Sequence, residues 1–246
     1  MADNLLIFGV RPVIEAIEAG KQFDRIYIKR GADSPVMEQL KGLCRERKVA
    51  FQEVPIEKLN RLTRGNHQGV VAQTSAIEYA NITEIAENVK ATGKLPLFVV
   101  LDGVTDVRNF GAIARTAECA GVDALIVPLK NSAPVNSDAI KSSAGALHTI
   151  PVCRVGSVRN TLKYFKEQGM QLIAATEKSD KQYYKADFTK PTILIMGAED
   201  VGISNEVLKL CDEKLAIPVL GKIESLNVSV AAGVMLYEVV RQRKEI

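Results

Sequence analysis

The sequence predicts an α/β protein whose C-terminal part holds a parallel sheet, preceded by a smaller α/β domain. Five near-continuous apolar runs indicate the strands of that sheet, at 97–101, 124–127, 171–175, 192–196 and 214–219. Helical patterns fall between these runs, at about 110–120, 136–147, 158–168 and 203–211, and a last helix is predicted over 226–243. Because apolar strands that alternate with helices are buried on both faces, this order is typical of a parallel sheet covered on each side.

Residues 1–75 carry shorter elements and are predicted to form a domain of their own. A helix over 13–19 and strands at 25–29, 49–54 and 70–75 are expected there. Ser34 and Pro35 predict the start of a further helix, since Ser is a preferred N-cap and Pro suits the first turn. Residues 76–95 have little apolar patterning and are interpreted as a linker with one small helix, and 96–246 as the larger domain.

Composition excludes several classes of protein. The chain of 246 residues is 47% hydrophobic and 25% charged, as is usual for a soluble globular protein. No apolar run reaches the roughly 18 residues that a membrane helix needs, and the start at Met1–Asn4 lacks the features of a signal peptide. The four cysteines are scattered without a close pair, so we expect reduced thiols in a cytoplasmic protein, with no structural zinc and no membrane partner.

The charge distribution leaves two interpretations open. The first 75 residues contain twelve Lys or Arg and nine Asp or Glu, which accounts for the whole net charge of +3. A basic excess on a small domain is consistent with nucleic-acid contact. Random scatter of surface charge explains a surplus of this size equally well.

The first segment that carries chemistry runs from Asp102 to Arg115, after the strand at 97–101. It lacks the GxGxxG pattern of dinucleotide-binding loops. Asn109 and Arg115 lie six residues apart, so on a helix they point roughly 120° away from each other. Either both reach a common cleft, or Asn109 caps the helix and Arg115 is a surface cation.

The second segment, Met196–Ser204, follows the strand at 192–196. Gly197 allows a ligand to approach the backbone closely. Glu199 and Asp200 follow in the loop, but the segment has no His and no third acidic residue at ligand spacing, so we expect no metal. A solvated acidic turn is the alternative interpretation.

The third segment covers residues 217–233. Ser225 is interpreted as the N-cap of the last helix, with Leu226 and Asn227 in its first turn. A well-capped core helix explains most of this pattern. It does not explain Asn227, because Asn is a poor helix former.

Taken together and in this order, the three segments resemble the motifs of a known family. Residues 109–117, 194–204 and 217–231 are similar to the first, second and third motifs of the SpoU family of RNA ribose 2′-O-methyltransferases, within the SPOUT superfamily. Residues 9–17 and 67–72 resemble the small RNA-binding domain, similar to ribosomal protein L30e, that precedes the catalytic domain in many members. In overall layout the chain is most similar to the bacterial enzymes that methylate a guanosine ribose in 23S rRNA.

The resemblance implies a deep trefoil knot in the C-terminal domain, a homodimer with an active site assembled across it, and S-adenosylmethionine as methyl donor. It implies that Thr176, Gly197, Ile217 and Leu226 bind the adenosine part of the donor. Mechanisms given for this family sometimes make Arg115 a general base. Because a guanidinium is hard to deprotonate, we expect instead that Arg115 stays charged, binds a phosphate and the 2′-oxygen, and stabilises the developing charge. Asn109 and Glu199 would orient Arg115 and the ribose. Ser225 and Asn227 would hold the third loop against substrate or donor.

Three alternatives stay open at this point. A relative that acts on tRNA would have the same motifs, and a non-catalytic RNA-binding or ribosome-assembly protein could keep the fold. An unrelated α/β nucleotide-binding enzyme is disfavoured, because the chain has neither GxGxxG nor GxxxxGK[ST].

Overall fold

The computed structural model describes residues 6–244, which form two compact units. The first unit extends to Glu78 and also includes Pro134–Ser137, and the second comprises Tyr79–Ala133 and continues from Asp138. Met1–Asn4, on which the expectation of no signal peptide depended, lie outside the described residues. The division of the chain at residues 75 and 96 stays a prediction.

The first unit is a four-stranded sheet with helices packed against it. Its strands are β1 (Leu6–Phe8), β2 (Phe23–Lys29), β3 (Phe51–Val54) and β4 (Val70–Thr74), in the order β1-β4-β2-β3. Its helices are α1 (Val10–Glu18), α2 (Pro35–Glu46) and α3 (Ile56–Leu62). Strand β4 is antiparallel to β1 and β2, and β2 is parallel to β3. The predicted cap of α2 is confirmed, because the Ser34 hydroxyl accepts the Met37 N–H at 3.3 Å.

The second unit contains the parallel sheet that the sequence predicts. Its strands are β5 (Leu97–Asp102), β6 (Ala124–Pro128), β7 (Val152–Val155), β8 (Gln171–Ala175), β9 (Thr192–Gly197) and β10 (Glu213–Leu215). They lie in the order β10-β8-β9-β5-β6-β7, and every neighbouring pair is parallel. Strand β7 was not predicted, because it is short and Arg154 interrupts its apolar run.

Helices and two 3₁₀ turns connect these strands. The helices are α4 (Ile82–Ala91), α5 (Val107–Cys119), α6 (Ser137–Ser142), α7 (Val158–Glu167), α8 (Asn205–Leu208) and α9 (Val228–Lys244). The 3₁₀ turns are Ala146–His148 and Tyr183–Lys185. Helix α4 lies in the segment interpreted as a linker, and its Ile82 is buried in the core of the second unit.

Several predicted elements are shorter than expected, among them the helix predicted over 203–211, which comprises only Asn205–Leu208. The helix predicted over 136–147 ends at Ser142, because Ala144 and Gly145 take left-handed backbone conformations with φ of 50° and 88°. The strand predicted over 214–219 ends at Leu215, and the chain then enters a loop that contains Pro218, which has no N–H to donate to a neighbouring strand.

The last turn of α9 is fastened to the sheet by one arginine. Arg243 donates hydrogen bonds to the carbonyl groups of Leu95, Pro96, Phe188 and Lys190, at 2.8–3.2 Å. One turn earlier, the buried carboxylate of Glu238 accepts hydrogen bonds from Arg241 and Gln242. These bonds hold α9 against the strand ends opposite the functional site.

The register of the two central strands determines where their loops begin. Asp102 at the end of β5 pairs with Gly197 at the end of β9. The Asp102 carboxylate accepts the Ser204 N–H at 2.9 Å, which joins the loop after β9 to the end of β5. Ligands bind at the carboxyl ends of such strands in open α/β sheets, so this edge is where a site is expected.

Candidate active site

A cleft of about 270 Å³ lies at the carboxyl ends of β8, β9 and β10. Four loop segments line it, at residues 175–178, 196–203, 215–219 and 224–231. Its volume lies near the lower end of the range for small-molecule sites. Its lining combines apolar side chains with five charged residues, Glu177, Lys178, Glu199, Asp200 and Glu224.

All four residues implied as cofactor-binding line this cleft, namely Thr176, Gly197, Ile217 and Leu226. The Thr176 N–H donates to the Leu215 carbonyl at 2.9 Å, and its hydroxyl accepts the Lys178 N–H at 3.3 Å. Ile217 is partly buried, whereas Leu226 keeps 41% of its surface exposed. Both apolar side chains therefore remain available to a ligand in the cleft.

Gly197, which lines the cleft, is also required by the turn that follows it. The loop after it turns back so tightly that Ala198 and Gly202 exchange backbone hydrogen bonds, at 3.0 and 3.2 Å. A Cβ atom on Gly197 would overlap the backbone of Gly202 and Ile203. The residue allows this close turn, and the turn presents Glu199 at the mouth of the cleft.

The family resemblance implied five catalytic residues, and the side-chain amide of one of them forms hydrogen bonds to two others. The Asn227 Nδ2 donates to the Asn109 Oδ1 at 3.0 Å and to the Glu199 Oε1 at 2.5 Å. These residues are separated by up to 118 positions in the chain and come from all three sequence segments. The amide of Asn227 thus links α5, the loop after β9 and the start of α9.

The capping interpretation of Ser225 is wrong. Helix α9 begins at Val228, and the Asn227 Oδ1 accepts both the N–H and the hydroxyl of Ser229, at 2.9 and 2.6 Å. Asn227 therefore precedes the helix and occupies its N-cap position, for which Asn is among the preferred residues. This accounts for the Asn that the sequence left unexplained. Ser225 lines the cleft, and no hydrogen bond of its side chain is found within residues 6–244.

The interpretation of Asn109 as a helix cap is also wrong. Helix α5 begins two residues earlier, and the carboxylate of Asp106 caps it by accepting the Asn109 N–H at 2.8 Å. The amide side chain of Asn109 is consequently free to face Asn227. The carboxylates of Asp106 and Asp102 hold the loops beside the site, and neither was singled out from the sequence. An Asp three residues before Asn109 is nevertheless a recognisable N-cap signal.

The side chain of Arg115 is not bonded to any of the other site residues within the described chain. Arg115 lies on α5 with an exposed side chain, and among residues 6–244 it forms no hydrogen bond or ion pair. The described chain therefore does not show the common cleft for Asn109 and Arg115 that was one of the two interpretations of the sequence.

The described residues contain no metal cluster and no membrane-spanning helix, and three of the four thiols are at least partly buried. Within residues 6–244, no cluster of three His, Cys, Asp or Glu side chains could hold a metal ion. The same range contains no helix that could cross a membrane. The four cysteines are free, and burial raises the pKa of Cys153 to about 12 and those of Cys44 and Cys211 to about 11, so these three thiols stay protonated and poorly nucleophilic.

Comparison with known proteins identifies two matching families. Residues 96–237 match the family described as SpoU rRNA Methylase, and residues 6–80 match the domain described as RNA 2′-O ribose methyltransferase substrate binding. The chain is 31% identical over 240 residues to a protein of Bacillus subtilis named as a TrmH family tRNA/rRNA methyltransferase, YacO, covering 98% of this chain and 96% of that one.

Two further relatives cover nearly the whole chain. The 23S rRNA (guanosine-2′-O-)-methyltransferase RlmB of Vibrio parahaemolyticus is 35% identical over 246 residues, 98% of each chain. The crystal structure of the SpoU methyltransferase AviRb from Streptomyces viridochromogenes, in complex with the cofactor AdoMet, superimposes with a TM-score of 0.63 and 29% identity. That comparison covers 98% of this chain and 91% of AviRb.

Proposed function

This chain belongs to the SpoU family of RNA 2′-O-methyltransferases, and from that premise we propose that it methylates the ribose 2′-hydroxyl of a guanosine in 23S rRNA. The methyl donor is S-adenosylmethionine. One observation carries the assignment of the site: the amide of Asn227 joins Asn109 and Glu199 at the mouth of the cleft. The RlmB relatives, similar along their full length, support the choice of 23S rRNA. An rRNA substrate would place the reaction in the cytoplasm.

A tRNA substrate is the second candidate. It is favoured by the TrmH family relatives, whose names leave tRNA and rRNA open. A non-catalytic RNA-binding role is disfavoured, because the chain retains Asn109, Arg115, Glu199, Ser225 and Asn227 at the motif positions.

The cleft has the features that the donor requires. Thr176 and Gly197 line the cleft at the ends of β8 and β9, and their backbone groups suit hydrogen bonds to the edge of an adenine. Ile217 and Leu226 also line it and provide apolar contact for the ring faces. When bound, the donor supplies a methyl group on a positively charged sulfur. Alanine in place of Leu226 would therefore weaken donor binding without changing Asn109, Glu199 or Asn227.

The remaining chemistry is alignment and charge stabilisation. A ribose hydroxyl is a poor nucleophile at neutral pH, so its oxygen must be held in line and its developing negative charge stabilised. We assign that task to the guanidinium of Arg115, whose permanent positive charge and planar array of donors suit a developing oxyanion. Asn109 and Glu199, held in place by Asn227, orient the ribose and the guanidinium, and Ser225 contacts substrate or donor from the third loop.

A homodimer completes this proposal. Within one chain Arg115 forms no hydrogen bond or ion pair with Glu199, and in the proposed dimer Arg115 of one copy acts beside Glu199 of the other. Helix α9 offers a surface for it, since Val230 and Tyr237 are 52% and 54% exposed and lie seven residues apart, on one face of the helix. We also propose that the C-terminal segment is threaded through a loop to form the knot typical of this superfamily.

Methyl transfer to RNA tests the assignment directly. Total RNA from a strain that lacks this gene is incubated with the protein and donor carrying a radioactive methyl group, and the labelled nucleotide is mapped. We expect 2′-O-methylguanosine in 23S rRNA. Label in tRNA would support the second candidate, and no label in any RNA would contradict enzymatic activity.

Two Arg115 variants separate catalysis from folding. Arg115→Ala should abolish transfer while donor binding, measured by calorimetry, stays within about twofold of the wild type. Arg115→Lys should also be strongly impaired, because an ammonium group cannot reproduce the two-pronged geometry of guanidinium. Nearly full activity of Arg115→Lys would contradict the proposed role.

A mixing experiment tests the shared site. Arg115→Ala and Asn227→Ala proteins, each strongly impaired alone, are unfolded and refolded together so that mixed dimers form. If each site combines Arg115 of one copy with Asn227 of the other, a mixed dimer contains one intact site and activity returns in part. No recovery, with dimers demonstrated by light scattering, would mean that both residues act within one chain.

A further inference from the structure

The outward face of α5 presents a second arginine beside the proposed site. Arg108 and Arg115 are both exposed and lie seven residues apart. Seven residues make two helical turns to within about 20°, so both side chains leave the helix in nearly the same direction, roughly 10 Å apart along its axis.

The other faces of α5 pack against neighbouring elements of the unit. Phe110, Ile113 and Ala117 are buried in the unit, and Gly111 lies directly against Ser142 of α6. The two arginines lie on the remaining, exposed side of the helix, where Glu118 and Cys119 are exposed as well near its C-terminal end.

Neither arginine is used to hold the fold together. Among residues 6–244, Arg108, like Arg115, has no hydrogen bond or ion pair. In the same unit, by contrast, Arg154 lies 3.8 Å over the ring of Tyr79, and Arg243 binds backbone carbonyl groups. A guanidinium without a structural partner on an exposed face is available to a ligand.

Helix stability does not account for Arg108 either. It is the second residue of α5, and the first turn contains no acidic side chain. A cation at this end is opposed by the helix dipole, so the position costs some stability. Its immediate neighbour in the chain, Asn109, is hydrogen-bonded to Asn227 at the site.

From these observations we infer that Arg108 is a positioning residue that binds a backbone phosphate of the RNA flanking the target nucleotide. The inference rests on the proposed function. Guanidinium pairs with phosphate through two parallel hydrogen bonds. Side chains that leave the helix side by side at positions about 10 Å apart lie further from each other than the width of one phosphate group. Arg108 therefore contacts a second point on the same strand and fixes its direction across the cleft.

The test compares Arg108→Gln with a matched control, Arg159→Gln. Arg159 is also the second residue of a helix, α7, is exposed, and has no partner within residues 6–244. Both variants lose one positive charge at the same helical position. The readouts are kcat and KM for methyl transfer to total RNA from a strain lacking the gene, filter binding of that RNA at several salt concentrations, and calorimetric donor binding.

We expect Arg108→Gln to raise the apparent KM for RNA about tenfold while kcat changes less than about twofold. The slope of log affinity against log salt should become shallower by about 0.7, the value for one phosphate contact with a single strand. Arg108→Lys should keep the salt slope of the wild type and lose only part of the affinity. Arg159→Gln should match the wild type in every readout.

Several results would overturn the inference. Equal effects of Arg108→Gln and Arg159→Gln would mean that only overall charge matters. A loss of donor binding, or of kcat with unchanged KM, would indicate a structural role. If the wild type transfers no methyl group, the proposed function fails, and the filter-binding comparison still decides whether Arg108 contacts RNA.

Discussion

Asn227 is expected to combine two roles that substitutions can separate. Its Oδ1 caps α9 by accepting the Ser229 N–H at 2.9 Å, and its Nδ2 bridges Asn109 and Glu199. Loss of an N-cap costs about 1 kcal/mol. The two bridging bonds are exposed to solvent, so we assign them together about 0.5–1 kcal/mol. Asn227→Ala should therefore lower the free energy of unfolding by roughly 1.5–2 kcal/mol.

Asn227→Ser distinguishes the cap from the bridge. Serine caps helices nearly as well as asparagine but has no amide to reach Asn109 and Glu199. We expect it to recover about 1 kcal/mol relative to alanine. Methyl transfer should nevertheless stay reduced in both variants by at least about tenfold, because the site residues are no longer held in register.

Urea unfolding followed by circular dichroism measures these differences, and amide hydrogen exchange of the peptide that contains Ser229 locates them. Ser225→Ala is the control, since the Ser225 side chain forms no hydrogen bond within residues 6–244 and its loss should change stability by less than about 0.5 kcal/mol. If Ser225→Ala were as destabilising as Asn227→Ala, or if Asn227→Ser were as unstable as the alanine variant, the assignment of the cap would be refuted.

Three further predictions concern the scaffold. Gly111→Ala should destabilise the protein by about 1–3 kcal/mol in urea unfolding, because its Cβ would overlap Ser142. Gly233→Ala is the control and should be neutral or stabilising, since its Cβ would meet its nearest neighbour at 3.7 Å. Equal effects of the two substitutions would contradict close packing of α5 on α6. Arg243→Lys should lower the urea midpoint, because one ammonium group cannot replace the guanidinium as donor to four carbonyl groups at 2.8–3.2 Å. An unchanged midpoint would argue that these hydrogen bonds do not hold α9 in place. Hydrogen bonding from Arg241 lowers the pKa of Glu238. The contribution of this carboxylate to stability is therefore fully present above the ordinary pKa near 4.5 and is lost as the pH falls through the folded-state pKa. The difference in free energy of unfolding between wild type and Glu238→Gln should accordingly narrow in acid, and a constant difference would refute this linkage.

The parallel sheet was predictable because its signal is local and repeated. Strands β5 and β9 are buried on both faces, so each is a run of apolar residues that is recognised without knowledge of its neighbours. Strand β7 and helix α3 were missed for the converse reason. Each is short, and polar or charged residues interrupt its pattern, so only the neighbouring elements stabilise it.

The positions of helix ends were less predictable. Two polar residues near the start of α9, Ser225 and Asn227, both suit an N-cap, and propensity does not choose between them. The choice depends on where the chain leaves the cleft and on the bonds that Asn227 makes to α5 and to the loop after β9. Likewise, Gly111 resembles an unfavourable residue within a helix until the approach of α6 is known.

The order of residues alone was enough to establish the fold class, the three polar segments and the family, because each depends on patterns within a few neighbouring positions. The meeting of Asn109, Glu199 and Asn227 required the folded chain, since contacts across up to 118 residues follow from strand order and register, which no local pattern encodes. The exposure of Arg108 and Arg115 on one face of α5 was decided in the same way, by which sides of that helix the remaining elements cover.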